Sequence, residues 1–360
     1  MKIADVKTAL YRIPLPTVLS DSTHGDMSHF ELVTARVRDS DGREGLGYTY
    51  TTGTGGSGIH ALVGDLAPVL IGSDPLRTEE LWERMWWRIH FAGRGGAVVF
   101  AMAALDIALW DLKARHFGEP LWRLLGGHTR EVDAYAGGID LQYTLDELRD
   151  QTRSFLDRGF RAIKMKVGRD RLSEDVERVA AIREMLGDDF PLLVDANMRW
   201  RVDEAIRASR ALAPFGLFWL EEPITPDDVE GHVRVSREGL LPIAAGENLH
   251  TVYEFQALIS AGGVSFPEPD VATVGGVTPW MKVAALAQAH NLPVTSHGVH
   301  DIHVHLLAAV PNASLLEVHG FGLERFMAHP LELRDGKVVA PDRPGHGVEL
   351  DWEALERHRV

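Results

Sequence analysis

Two lysines one residue apart, Lys164 and Lys166, interrupt an otherwise apolar run in "AIKMKVG" (162–168). In a strand, alternate residues share a face, so both ammonium groups point the same way. Buried against an apolar core, each would cost far more than an apolar side chain. That face therefore has a use for positive charge. Further along lie "VDAN" (194–197), "WLEEP" (219–223), "AGEN" (245–248), "PEPD" (267–270), "SHG" (296–298) and "LLEV" (315–318). Each is an apolar run ending in ionisable residues. The carboxylates Asp195, Glu221 and Glu247 would repel one another if brought together unpaired. Oxygen-only ligands with room for water suit a hard divalent cation, and Mg²⁺ above all. Asp270 and His297 end neighbouring runs, and an aspartate that fixes an imidazole sets its tautomer and raises its basicity. Glu317 stands where a protonated carboxyl would donate to an oxyanion. Glu222 alternates with Glu221 and is expected to face outward. A lysine beside a metal and a second lysine has its pKa lowered and becomes usable as a general base. The chemistry implied is removal of a proton α to a carboxylate, with the metal stabilising the enediolate.

The elements that position these groups follow from periodicity. Short apolar runs start at 132, 162, 191, 218, 241, 264, 292 and 314, separated by amphipathic segments such as "SEDVERVAAIREMLG" (173–187). Eight evenly spaced β units with helical spacers read as an α/β barrel, whose reacting groups sit at the C-terminal strand ends. The tail after the eighth run reads as a hairpin and loops, so the last barrel helix is missing or replaced. Residues 1–126 differ. They begin with three strands, two of them joined at "DSDG" (39–42), and continue as helices, which makes an α+β domain. The expected division is 1–126 for this domain, 127–325 for the barrel and 326–360 for the tail.

The set in this order resembles the enolase superfamily, and its mandelate racemase subgroup in particular. The resemblance spans nearly the whole chain. It implies a modified TIM barrel, (β/α)7β, with an N-terminal α+β capping domain that the tail rejoins. Asp195, Glu221 and Glu247 would hold Mg²⁺. Lys166 would be one base, and Lys164 would neutralise the substrate carboxylate. His297, supported by Asp270, would be the second acid or base, and Glu317 would hydrogen-bond the enediolate oxygen. In this subgroup loops of the cap choose the substrate. Here they are polar and glycine-rich: "SDSTHGDMSH" (20–29), "YTYTTGTGGSG" (48–58) and "HFAGRGG" (90–96). His24, Thr51 and Arg94, with Asn197 from the barrel, are the candidate substrate contacts. Such loops suit a polyhydroxylated acid better than an aromatic one. The expected activity is Mg²⁺-dependent dehydration of an aldonic or aldaric acid sugar. The alternative is racemisation or epimerisation of a 2-hydroxy acid by two-base proton transfer. A metal-stabilised scaffold without catalysis ranks last, because it gives a two-base set nothing to do.

Composition bounds the rest. Apolar residues at 45% and charged residues at 25% are those of a globular chain that can bury a large core. A formal net charge of −15 argues against a nucleic-acid partner but not against a small anionic substrate. Cysteine is absent, which removes disulfides, thiolate metal sites and cysteine nucleophiles. No apolar run approaches membrane-spanning length and no export signal opens the chain, so a cytoplasmic enzyme is expected. The resemblance further implies a homo-oligomer.

Overall fold

The computed structural model describes residues 1–360. The chain opens with an antiparallel sheet ordered β1 (Ile3–Asp21), β2 (Gly25–Asp39), β3 (Glu44–Thr51). The β1–β2 pairing breaks between Pro14 and Leu19 and resumes from Leu19–Met27 to Asp21–Gly25. Prolines at 14 and 16 donate no ladder hydrogen bond, so the hairpin tip is set off as a separate finger. Helices α1 (Gly56–Leu70) and α3 (Ala97–Phe117) pack on this sheet, and α2 (Thr78–Ile89) packs against both helices. A Cβ at Gly45 or Gly47 would lie 2.1 Å from the Ala108 or Ala104 carbonyl oxygen. Glycine there lets β3 lie directly on the backbone of α3.

α3 is apolar nearly all round, as a helix buried on two sides must be. Its second face meets the barrel. There Asp106, fully buried, accepts from Thr278 N at 2.9 Å and Thr278 Oγ1 at 2.7 Å, and Trp110 Nε1 donates to the same hydroxyl at 2.8 Å.

After a short turn, α4 (Leu121–Leu124), the barrel strands follow: β4 (Glu131–Gly137), β5 (Ile163–Lys166), β6 (Leu192–Asp195), β7 (Leu220–Glu221), β8 (Ile243–Ala245) and β9 (Phe266–Pro267). Each pairs in parallel with the next, and β10 (Leu316–Val318) closes the ring on β4. The run at 292–298, expected as the seventh barrel strand, makes only one bridge, Val294–Ala313. Pro293 offers it no donor. It still occupies its place in the ring, because Thr295 N donates to Pro267 O and Ser314 N to Val294 O.

The crossovers are α5 (Leu145–Asp157), α6 (Leu172–Leu186), α7 (Val202–Leu212), α8 (Val229–Glu238), α9 (Val252–Ala261), α10 (Val277–Ala289) and α11 (His300–Ala309). No eighth crossover helix follows β10. Instead β11 (Leu333–Arg334) and β12 (Lys337–Val339) form a hairpin whose second strand pairs antiparallel with the first half of β4. The architecture is the expected (β/α)7β barrel with an N-terminal cap. Beyond α12 (Trp352–Glu356), Val360 N donates to Leu10 O, and Arg12 N donates to His358 O.

Inside the ring, Tyr135, Ala162, Leu193, Trp219 and Ala244 form a buried apolar plug. Ala162, Leu193 and Trp219 stand two residues before Lys164, Asp195 and Glu221. The strand period of two therefore sets the charged groups on the same inward face, one layer above the plug.

Candidate active site

The charged layer is dense and almost dry. Lys164 is 1% exposed, and its Nζ lies 2.5 Å from Glu221 Oε1, 2.9 Å from Glu317 Oε1 and 3.7 Å from Asp195 Oδ2. Lys166 Nζ pairs with Asp195 Oδ2. Asp195 Oδ1 accepts from Asn197 N at 2.8 Å, and Glu221 Oε2 accepts from Trp219 Nε1 at 2.9 Å. On the far side His297 Nε2 lies 2.9 Å from Glu247 Oε2, and its Nδ1 lies 3.1 Å from Asp270 Oδ2. The Tyr50 hydroxyl of the cap donates to the same Asp270 oxygen at 2.7 Å. The two nitrogen bases therefore flank the carboxylate triad at its two ends.

Each of Asp195, Glu221 and Glu247 offers a carboxylate oxygen, and the three oxygens lie within 4.8 Å of one another. Burial, with Asp195, Glu317 and Glu247 nearby, pushes the Glu221 carboxyl up to about 8 despite Lys164. The protein thus leaves negative charge there under-compensated, and an all-oxygen donor set of this spacing fits Mg²⁺. A second group, His297 with Glu317 and His319, also comes within metal-binding distance. Both ring nitrogens of His297 already meet carboxylates, so this group is not a free ligand set.

Three expectations change. Among the carboxylates alone, Lys166 is not a lysine of lowered pKa. Burial pulls it down most, but Asp195 together with Glu247 and Glu221 outweighs burial and holds the proton above the ordinary lysine range. Burial likewise raises Glu317, yet Lys164 and His297 overcome it and hold the carboxyl well below the usual range. In this ionised state Glu317 accepts from Gly298 N at 2.9 Å, and donation to an oxyanion would require it first to take up a proton. Glu222 does not face outward. Its φ of 38° breaks the strand alternation, and its buried carboxyl takes the Asn248 amide at 2.9 and 3.1 Å.

A cavity of about 330 Å³ opens over this layer, between the barrel mouth and the cap. Lys166, Asn197, Glu247 and His297 line it from below, and His24 and Thr51 from above. Arg94 does not reach it. The turn carrying Arg94 folds onto the barrel loop at 250, where Gly96 N donates to His250 Nδ1 at 3.1 Å. Arg94 lines a separate depression with Phe91, Tyr253 and Glu254. The cavity is also less polar than its loops suggested, because Met27, Ile59, Phe100, Ile139 and Phe321 contribute.

Several groups escaped the sequence reading. Glu268 is wholly buried with neither carboxyl oxygen bonded, and burial among acids pushes it well up. It lies two residues before Asp270, where the interrupted strand hid its direction. His319 lines the cavity edge-on to Phe321, centroid to centroid 4.1 Å. Burial lowers its pKa to about 3, so it is a neutral imidazole. It sits two residues after Glu317, and strand period alone would have put it on the same face. Asp21 and Tyr50 reach the cavity from the cap, in positions that only the folded cap reveals.

Family comparison agrees with this geometry. Residues 3–126 match the mandelate racemase / muconate lactonizing enzyme N-terminal domain, and residues 147–354 match the enolase C-terminal domain-like family. The chain is 58% identical over 359 residues to a 3,6-anhydro-alpha-L-galactonate cycloisomerase of Streptomyces coelicolor, covering 99% of each. It is 38% identical to an L-talarate/galactarate dehydratase of Salmonella typhimurium, covering 98% of this chain and 90% of the relative. A structure described as a racemase from Streptomyces coelicolor with bound magnesium superposes with a TM-score of 0.98 at 56% identity, over 99% of this chain and 100% of that one. No helix is long and apolar enough to cross a membrane. The chain belongs to the mandelate racemase / muconate lactonizing enzyme group of the enolase superfamily, and it is a Mg²⁺-dependent enzyme of that group.

Proposed function

We propose that the enzyme catalyses β-elimination from an acid sugar, giving a 2-keto-3-deoxy acid. The leaving group we assign is a ring ether oxygen, as in a cycloisomerase, with loss of a free hydroxyl, as in a dehydratase, the second reading. The observation that carries proton removal at C2 is the pair of nitrogen bases, Lys166 and His297, lining one cavity at the two ends of an acidic triad. Elimination rather than two-base racemisation is supported by the similarity to a cycloisomerase and a dehydratase. The choice of leaving group is supported by 58% identity to a 3,6-anhydro-alpha-L-galactonate cycloisomerase. The compact, half-apolar cavity suits a closed ring with a hydrocarbon face better than an extended polyol.

Asp195, Glu221 and Glu247 would hold Mg²⁺. When bound, the ion would supply positive charge to the carboxylate on which negative charge develops. Lys164 binds the substrate carboxylate from the opposite side, fixed there by Glu317. Lys166 or His297 removes the C2 proton, according to the configuration at C2, and Asp270 and Tyr50 hold the imidazole in place. The C2–H electrons move into the enediolate, which then expels the oxygen on C3. The enol ketonises, with the enol proton passing to C3. A cyclic ether thereby gives an open-chain isomer, whereas a free hydroxyl leaves as water. The protein acts in this reading as a homo-oligomer in the cytoplasm, on a small carboxylate.

The test is to incubate the Mg²⁺-loaded enzyme with 3,6-anhydro-L-galactonate and with open-chain aldonic and aldaric acids, and to follow semicarbazones of 2-keto products. Turnover of the anhydro acid well above the open-chain acids is expected. Faster turnover of an open-chain acid would move the assignment to dehydratase. Deuterium exchange at C2 in D₂O without keto product from any of them would replace elimination by racemisation.

A further inference from the structure

The elimination needs an acid for the oxygen leaving C3, and in this reading Lys166 and His297 are engaged with the C2 proton. With the substrate carboxylate at the triad, Lys166 and His297 would serve C2, and the remainder of the substrate would fill the cavity toward the cap residues that line it. An alkoxide is a poor leaving group unless protonated as its bond breaks. Three titratable groups of the cap line the cavity: Asp21, His24 and Tyr50. Tyr50 is occupied with Asp270.

Asp21 and His24 form a dyad. Asp21 is 7% exposed, and its Oδ2 lies 2.8 Å from His24 Nδ1. Asp21 Oδ1 accepts the backbone N–H of Thr23 at 2.9 Å and of His24 at 2.7 Å, so the turn itself locks the pair. This fixes the proton on Nδ1 and leaves Nε2 to face the cavity. The hairpin tip carrying the dyad is docked on the barrel. Ser22 Oγ donates to Ala196 O at 2.6 Å, and Leu141 N donates to Ser20 O at 3.0 Å. Hydrogen bonding to Asp21 favours the protonated imidazole, which burial opposes. The His24 side chain is 37% exposed and can recover a proton from solvent.

We infer that His24, oriented by Asp21, is the general acid that protonates the C3 leaving oxygen, making a third acid–base group supplied by the cap. The inference rests on the β-elimination reading. As the C3–O bond breaks, its electron pair stays with oxygen and takes the proton from His24 Nε2. The C2 proton remains on Lys166 or His297.

The experiment is to incubate His24→Asn and Asp21→Asn with Mg²⁺ and 3,6-anhydro-L-galactonate in D₂O, measuring deuterium at C2 of recovered substrate alongside keto product. In His24→Asn, keto product should fall by about 100-fold or more, the lower range of general acid catalysis, while total C2 proton removal stays within about threefold of wild type. Added imidazole should restore product. Asp21→Asn should shift the same partition less severely, since it positions rather than donates. Product formation within threefold of wild type in His24→Asn overturns the inference. So does a parallel fall of exchange and product, which marks a binding or structural role. Wild type that exchanges at C2 without forming product overturns the elimination reading itself, and that outcome is told apart by the wild-type arm alone.

Discussion

Replacing Lys164 by methionine keeps most of the side-chain volume and removes one charge from the driest part of the site. The ammonium is 1% exposed and sits among oxygens of Glu221, Glu317 and Asp195 at 2.5, 2.9 and 3.7 Å. Removing one partner from a buried ion pair costs about 3–5 kcal/mol, because the other charge is left uncompensated. Protonation softens that loss. Burial pushes Glu221 up to about 8 even with Lys164 lowering it, so without Lys164 the carboxyl holds its proton more firmly still. The sign follows from linkage: a group whose folded pKa lies above its unfolded value stabilises below the unfolded pKa, and loses that contribution as pH rises through the folded one. The deficit of Lys164→Met should therefore be smallest near pH 6 and grow toward pH 9. The assay is urea denaturation of both proteins in chelator across that range. A deficit that is flat with pH, or below about 1 kcal/mol throughout, would refute the picture of Lys164 as the cation that compensates the carboxylates of this buried layer.

Asp106→Asn tests the junction between cap and barrel. Burial raises the Asp106 carboxyl from 3.8 to about 7 despite its bonds to Thr278, so wild type should lose about 4 kcal/mol from this group as pH rises from 4 through 7. The variant's stability curve should lack that slope, and an unchanged slope measured by denaturation would refute the assignment. Chelation with EDTA should lower turnover at least 100-fold, with recovery on Mg²⁺, and Glu247→Gln should lose the rise in melting temperature that Mg²⁺ gives wild type. Undiminished turnover in EDTA would exclude a metal-assisted step. Asp270→Asn should lower kcat by about 100-fold, the scale of one general acid–base group, with KM within threefold. It removes the charge at 3.1 Å that fixes the His297 tautomer, and an unchanged kcat would remove His297 from the proton-transfer steps.

The barrel was legible because each strand carries its own message. Two residues below Asp195 and Glu221 lie Leu193 and Trp219 of the plug, so the period of two that predicted strands also predicted which side chains rise into the mouth. The reading failed where backbone conformation departs from that period. Glu222 follows Glu221 in sequence, yet a positive φ turns it into the buried layer. The 292–298 run carries His297 to the right place with a single bridge, because hydrogen bonds to its neighbours hold it where Pro293 prevents a full ladder.

Charge was misjudged for a related reason. A lysine's pKa depends on which oxygen lies nearest, and that is a property of three strands rather than one. Counting only the second lysine and a cation gives Lys166 a lowered pKa, whereas the carboxylates of Asp195, Glu247 and Glu221 around it together reverse the direction. The cap was least legible of all. Its contribution rests on a hairpin tip that two prolines detach from the sheet and that Ser22 pins to the end of β6, which is long-range information no local pattern holds. A barrel that fixes the carboxylate and C2 chemistry, with a docked finger reaching the far end of the substrate, separates the part of the reaction common to such a site from the part that selects its leaving group. Substitutions in the finger should therefore slow cleavage of the C3–O bond while C2 exchange continues, whereas those in the charged layer should abolish C2 proton removal altogether.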